Sequence, residues 1–235
     1  MEANMKIKAP EEMSSAQRIA FYDCEENRRY YQYGTNGGWK KYEGNPVFGG
    51  SYGTCFDVSL LLEEGRDGHE ILRMWFSWRP KRGIGYTESR DGISWSEPQL
   101  VLAPLEGSDW EEDEVNRPAI IYHDGQYKMW YSGQMLPYRE GGRSVIGLAV
   151  SGDGIHWERR KEPVLKPDQD WEKQAIMCPH VLFDETEGSY KMWYAAGCNH
   201  EPDAIGYASS IDGIHWDKYT DNPVLEGSRG HLWEQ

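Results

Sequence analysis

The chain has 235 residues, of which 25 are basic and 39 acidic, giving a formal net charge of −14. An acidic surface of that size repels phosphate backbones, so nucleic acid is not an expected partner. The mean hydropathy is −0.79 and no apolar run reaches about 18 residues, which excludes a membrane-spanning helix and leaves no membrane partner to expect.

The aromatic balance is unusual, with 11 Trp and 15 Tyr against 5 Phe, beside 26 Gly. Trp and Tyr suit half-wet strands, and abundant Gly suits many tight turns, so the composition predicts an all-β chain. The first residues, MEANMKIKAPEEM, lack an apolar h-region, and a cytoplasmic location is the expectation. Residues 1–27 read as an N-terminal extension. Cys24, Cys55, Cys178 and Cys198 show no CxxC spacing, so free thiols are expected and a structural zinc is not.

A repeat organises the chain from residue 28 onward. The segment WKKYEGNPVF at 39–48 matches WDKYTDNPVL at 216–225, so residues 28–49 read as the outer strands of a closing blade. Three full units come next, at 50–104, 105–166 and 167–226. The first contains LRMWFSW and GIGYTESRDGISW, the second YKMWYSG and VIGLAVSGDGIHW, the third YKMWYAAG and AIGYASSIDGIHW. Trp75, Trp130 and Trp193 correspond, as do Asp91, Asp153 and Asp212, at a period close to 60 residues. Each unit predicts four antiparallel strands: an apolar run, an alternating YKMWYSG-type strand, an IGxA strand, and a fourth after an SxDGIxW turn. The Asp-Gly pair of that turn is expected to take positive φ angles. The recurring tryptophans are expected in the core and the recurring aspartates as turn formers. Residues 227–235 resemble the lead-in to a further blade. A ring of five such blades would need roughly 85 more residues, so a C-terminally truncated ring, or one completed by another chain in a homo-oligomer, is expected.

This succession of motifs resembles the five-bladed β-propeller glycoside hydrolases, the group of the arabinanases and β-xylosidases and of the invertases and levansucrases. The likeness covers about residues 28–235. It implies a fold of four-stranded antiparallel blades, about three and a half of them present, and a carbohydrate substrate. The sequence shows no sign of an organic cofactor; the resemblance allows a calcium ion on the axis, but no residue pattern here requires one.

In those families, carboxylates sit where the innermost strands begin. Aligning FDVSLLL, NRPAIIY and MCPHVLF places Asp57, Arg117 and Cys178 in register. The resemblance makes Asp57 the general base or nucleophile of a glycosidic cleavage, which needs a pair of carboxyl groups. Bland roles for Asp57 are a turn cap or a pairing with Arg117. Family motifs read Arg-Asp-Pro or Glu-Cys-Pro, whereas this chain reads Asn116-Arg117-Pro118 and Met177-Cys178-Pro179. The family spacing would put the acid glutamate near position 240, roughly one period past Cys178. Within the chain, Glu201 and Asp203 are the substitutes. Cys178 and His180 read as a packed pair before a catalytic one. Strand reversal brings the loops between second and third strands to the same face, so Arg79, Arg82, Tyr138, Arg143, His200 and Asp203 are expected to bind substrate beside Arg117, Cys178 and His180. The arginines also suit an anionic sugar or a sugar phosphate. The acidic run Glu111, Glu112, Asp113 and Glu114 reads as a solvated loop, Glu114 being the member that could reach the funnel. A glycoside hydrolase-like protein is therefore expected; a non-catalytic sugar-binding propeller and an interaction scaffold are the alternatives.

Overall fold

A computed structural model of the protein describes residues 41–65, 67–137, 141–198 and 202–226. The chain divides into two units, residues 1–46 and 47–235. In the first, the Asn45 amide donates to the Tyr42 carbonyl at 3.3 Å and closes a turn. The expected closing strand before residue 41, the 227–235 segment and Cys24 lie outside the described residues.

The second unit holds three blades. Blade one comprises β1 (Cys55–Glu64), β2 (Glu70–Trp78), β3 (Gly83–Ser89) and β4 (Gln99–Leu102). Blade two comprises β5 (Glu114–His123), β6 (Gln126–Met135), β7 (Arg143–Ser151) and the short β8 (Glu158–Arg159). Blade three comprises β9 (Ala175–Asp184), β10 (Ser189–Gly197), β11 (Ala204–Ser210), β12 (Asp217–Lys218) and β13 (Leu225–Glu226). Strands within a blade pair antiparallel in chain order, except that β13 pairs with β11 beside β12. One parallel pairing, Ser144 with Ala175, ties blade two to blade three. No α-helix occurs among the described residues. The all-β, four-stranded-blade expectation holds.

Glycine on each third strand explains the IGxA motif. A Cβ on Gly85 would sit 2.4 Å from the Phe76 ring, and Cβ atoms on Gly147 and Gly206 would meet the Tyr131 and Tyr194 rings at 2.6 and 2.5 Å. The aromatic ring of each second strand therefore lies flat across its neighbour.

The blades interlock through side chains at alternate positions of the second strand. Trp75 Nε1 donates to the Gly154 carbonyl of the next blade at 2.8 Å, and Trp130 Nε1 to Gly213 at 2.9 Å. Two residues earlier, Arg73 donates to Tyr127 and Lys128 to Tyr190, at 2.9 and 2.6 Å. Both indoles are fully buried between blades. Burying an indole removes about 200 Å² from water, worth about 5 kcal/mol as an upper bound. Trp193 departs from the expectation. It is 36% exposed, because no described blade lies against the outer face of blade three.

The SxDG turns form as aspartate cages. Asp153 Oδ1 accepts from the Ile155 and His156 amides at 2.8 Å, and Asp212 Oδ1 from Ile214 and His215. Only the glycines take positive φ there, 72° at Gly92, 79° at Gly154 and 77° at Gly213. The aspartates thus form the turn through their side chains, and the expected positive φ at these aspartates is corrected.

The acidic run departs from expectation in part: Glu112 is exposed, as expected of a solvated loop, but Glu111 and Glu114 are buried. Glu111 is 1% exposed. It accepts from the Tyr131 hydroxyl at 2.7 Å and pairs with Arg159 at 3.2 Å. Glu172 makes the same clasp in blade three, with Tyr194 and Lys218 each at 2.7 Å. Blade one has Phe76 in the tyrosine position and carries no clasp.

Candidate functional site

Each innermost strand contains a bulge at one and the same place in the repeat. The step from Phe56 to Ser59 on β1 opposes the shorter step from Ser77 to Trp75 on β2, and β5 and β9 repeat the shift at Asn116–Ala119 and Met177–His180. One extra residue is inserted in each. The residues at the bulges, Asp57, Arg117 and Cys178, have φ of 47°, 54° and 53°. That region disfavours side chains with a Cβ by about 1–2 kcal/mol. The preceding blade holds two of the three in place. Ser77 Oγ accepts from the Arg117 amide at 2.7 Å, and Ser132 Oγ from the Cys178 amide at 3.1 Å.

The three bulges lie at one end of a cavity of about 810 Å³ lined by β1, β5 and β9. Asp57 is exposed and Arg117 half-buried, and Arg117 Nε stands 3.3 Å from Asp57 Oδ2. Arg117 Nη1 donates to Asn116 Oδ1 at 3.0 Å. The Arg117 guanidinium also lies 5.9 Å from the Phe56 ring centre, and Arg79 lies 4.8 Å from it. Phe56 is thus the aromatic platform between two cations. Burial pushes the Cys178 thiol up and the Asp57 carboxylate adds to the rise, against the opposing pull of Arg117. The thiol therefore stays protonated at neutral pH, which suits neither a nucleophile nor a metal ligand. No cluster of three or more His, Cys, Asp or Glu able to hold a metal occurs among the described residues.

The structure brings Asp57, Arg117, Cys178 and His180 to this cavity. His180 is exposed rather than packed, which corrects the expected Cys178–His180 core pair. Arg79 reaches the site through Phe56. Arg82 meets blade two by its carbonyl, which accepts from the Val115 amide at 3.0 Å, while its side chain is exposed. Arg143 and Asp203 stand apart. Arg143 donates to the Asp109 carbonyl at 2.7 Å and lines a second cavity of about 290 Å³. Asp203 pairs with Lys173, another lining residue of that cavity, at 2.5 Å. Glu201, His200 and Tyr138 lie outside the described residues. In the sequence, Asn116 and Gln134 stand without an expected role, and Glu114 belongs to a run that reads as a solvated loop, itself the member that could reach the funnel. All three are buried beside Arg117 or its partner, at 9%, 2% and 3% exposure for Glu114, Asn116 and Gln134. The signal was available: blades one and three carry Thr54 and Phe56, or Ala175 and Met177, at the places of Glu114 and Asn116.

Blades of this build, with innermost strands set around a shared cavity, are those of a β-propeller. The family model of the glycosyl hydrolases family 32 N-terminal domain matches residues 78–234, and the chain belongs to that family. The uncharacterized protein Rv1502 of Mycobacterium tuberculosis (strain ATCC 25618 / H37Rv) is 33% identical over 173 residues, covering 71% of this chain and 52% of that protein. A 1,2-beta-oligomannan phosphorylase of Thermoanaerobacter sp. (strain X514) is 29% identical over 123 residues, covering 50% of this chain and 41% of the relative. The chain thus spans about half the length of the curated relatives it matches. Among solved structures, the family 117 glycoside hydrolase Zg3597 of Zobellia galactanivorans superposes with a TM-score of 0.62 at 18% identity, covering 73% of this chain and 57% of that one. That likeness is one of fold.

Proposed function

We propose that the protein acts on a glycosidic bond of an oligosaccharide, with Asp57 as base or nucleophile. The observation that carries this reading is the Asp57–Arg117 pair at 3.3 Å on strained backbone, at the end of a cavity of about 810 Å³. Strain of this kind gathers at functional sites, and the volume suits a small ligand. Glycosidic cleavage needs a second carboxyl group to protonate the leaving oxygen. Glu201 is the proposed acid. Glu63 also lines the cavity but is committed to Tyr127, at 2.7 Å, and to Arg73. Proton transfer and displacement at a sugar carbon need no cofactor. Short oligosaccharides in a cytoplasmic setting belong to the same proposal.

Phosphorolysis is the second reading, favoured by Arg117 and by the relative named an oligomannan phosphorylase. In it, a phosphate oxygen bonds to the sugar C1 as the C1–O glycosidic bond breaks, and the proton goes to the leaving oxygen. Incubation with β-1,2-mannobiose, with and without inorganic phosphate, separates the readings. Free mannose in both conditions means hydrolysis, and mannose 1-phosphate formed only with phosphate means phosphorolysis. Binding without product means a sugar-binding propeller. Asp57→Asn is expected to keep binding and lose roughly a hundredfold or more in turnover. Unchanged turnover in that variant would remove Asp57 from the chemistry.

A further inference from the structure

The internal repeat provides a control for what a blade needs. Blade one has Thr54, Phe56 and Arg79 at the positions where blade two has Glu114, Asn116 and Gln134, and blade three has Ala175, Met177 and Gly197. Blade three thus builds the same bulge with apolar or absent side chains, and blade one uses none of these three polar types. Only blade two buries a carboxyl group and two amides there. Each buried polar group costs about 1–3 kcal/mol unless it is bonded. The fold does not require that cost, so it serves the site.

The bonding pattern shows how. Asn116 Nδ2 donates to Glu114 Oε1 at 2.9 Å and to Gln134 Oε1 at 3.1 Å. Both of its hydrogens are then in use. Its remaining polar atom, Oδ1, is left to accept from Arg117 Nη1 at 3.0 Å, and Arg117 Nε meets Asp57 at 3.3 Å. An unanchored Asn116 could turn its amide and present hydrogens to a group that only donates.

We propose that Glu114 is a positioning residue: through Asn116 it fixes the orientation of the Arg117 guanidinium, and through Arg117 the place of the Asp57 carboxylate. The catalytic consequence rests on the glycoside-acting reading above; the positioning itself does not. Its first readout is therefore independent of activity. The Arg117 Nε–H resonance in a ¹⁵N–¹H correlation spectrum of the full chain is assigned by its loss in Arg117→Lys. In the wild type it is expected to be resolved and slow to exchange with water. Glu114→Ala is expected to return it to the position and exchange rate of a free arginine. Glu114→Gln, which keeps an acceptor oxygen, is expected to retain it. Should Glu114→Ala fail to fold, Glu114→Val takes its place, close in shape to the Thr54 of blade one and without an acceptor. A wild-type-like Arg117 resonance in Glu114→Ala or Glu114→Val would overturn the proposal. With an active substrate in hand, Glu114→Ala is expected to lower kcat by roughly tenfold or more with little change in KM, and Glu114→Gln to restore it. A wild type inactive on every glycoside would sink the functional reading alone, and the resonance would still decide the positioning.

Discussion

Asp57, Arg117 and Cys178 share a left-handed backbone because each occupies the extra position of a bulge, and Ser77 and Ser132 hold the second and third bulges. Ser77→Ala deletes the acceptor for the Arg117 amide. It is expected to cost about 1 kcal/mol and lower the thermal midpoint by about 3 °C. The tryptophans offer a sharper comparison. Trp75→Phe and Trp130→Phe each remove a buried indole donor and are expected to cost about 2 kcal/mol, whereas Trp193→Phe, at a side chain 36% exposed, is expected to cost well under 1 kcal/mol. Equal losses in calorimetry for all three would contradict the interlock. At this scale the sequence made Asp57 findable, because register along the repeat fixes which residue begins each innermost strand. It hid Glu114, because an acidic run reads as solvated unless its counterparts in the other blades are compared with it.

The turns and clasps tie each element to its charge state. Amides of Ser94 and Ile93 hold the Asp91 carboxyl at about 2. The His156 ring and amide hold Asp153 still lower, and at Asp212 burial is outweighed by the His215 and Ile214 amides and the His215 ring. A lowered carboxylate contributes stability that is fully present above its unfolded value and is lost as pH falls through the folded one. The thermal midpoint is therefore expected to hold from about pH 7 to 5 and to fall between about pH 4 and 2. A triple Asp→Asn variant at these positions should flatten that fall, and an unchanged slope would show that the cages do not govern acid unfolding. The clasps predict a different loss. Arg159→Met strands the buried Glu111 carboxyl, which burial already pushes up, and is expected to destabilise blade two by about 3 kcal/mol in urea titration. Loss under 1 kcal/mol would mean that Tyr131 alone satisfies Glu111. The sequence marked the DG turns by type. It offered no view of the clasps, because they join a lead-in loop to a fourth strand some 50 residues on, a distance that local pattern does not span.

For the whole molecule, the period near 60 residues made the blades legible, since each Trp–glycine contact repeats with it. The site was legible only in part. The cavity is assembled from three strands separated by a full period each, so its membership follows from register, while the fates of Arg143 and Asp203 depended on ion pairs to Asp109 and Lys173 that register cannot foresee. The proposed function stands or falls on whether the cavity between β1, β5 and β9 receives the sugar. Hydrogen exchange of the full chain with and without β-1,2-mannobiose decides it. Slowed exchange is expected at 55–60, 115–120 and 176–181, with the second cavity at 141–145 and 162–167 unchanged. Protection confined to the second cavity, or bound sugar that protects none of the three bulges, would place the sugar elsewhere and overturn the proposed site.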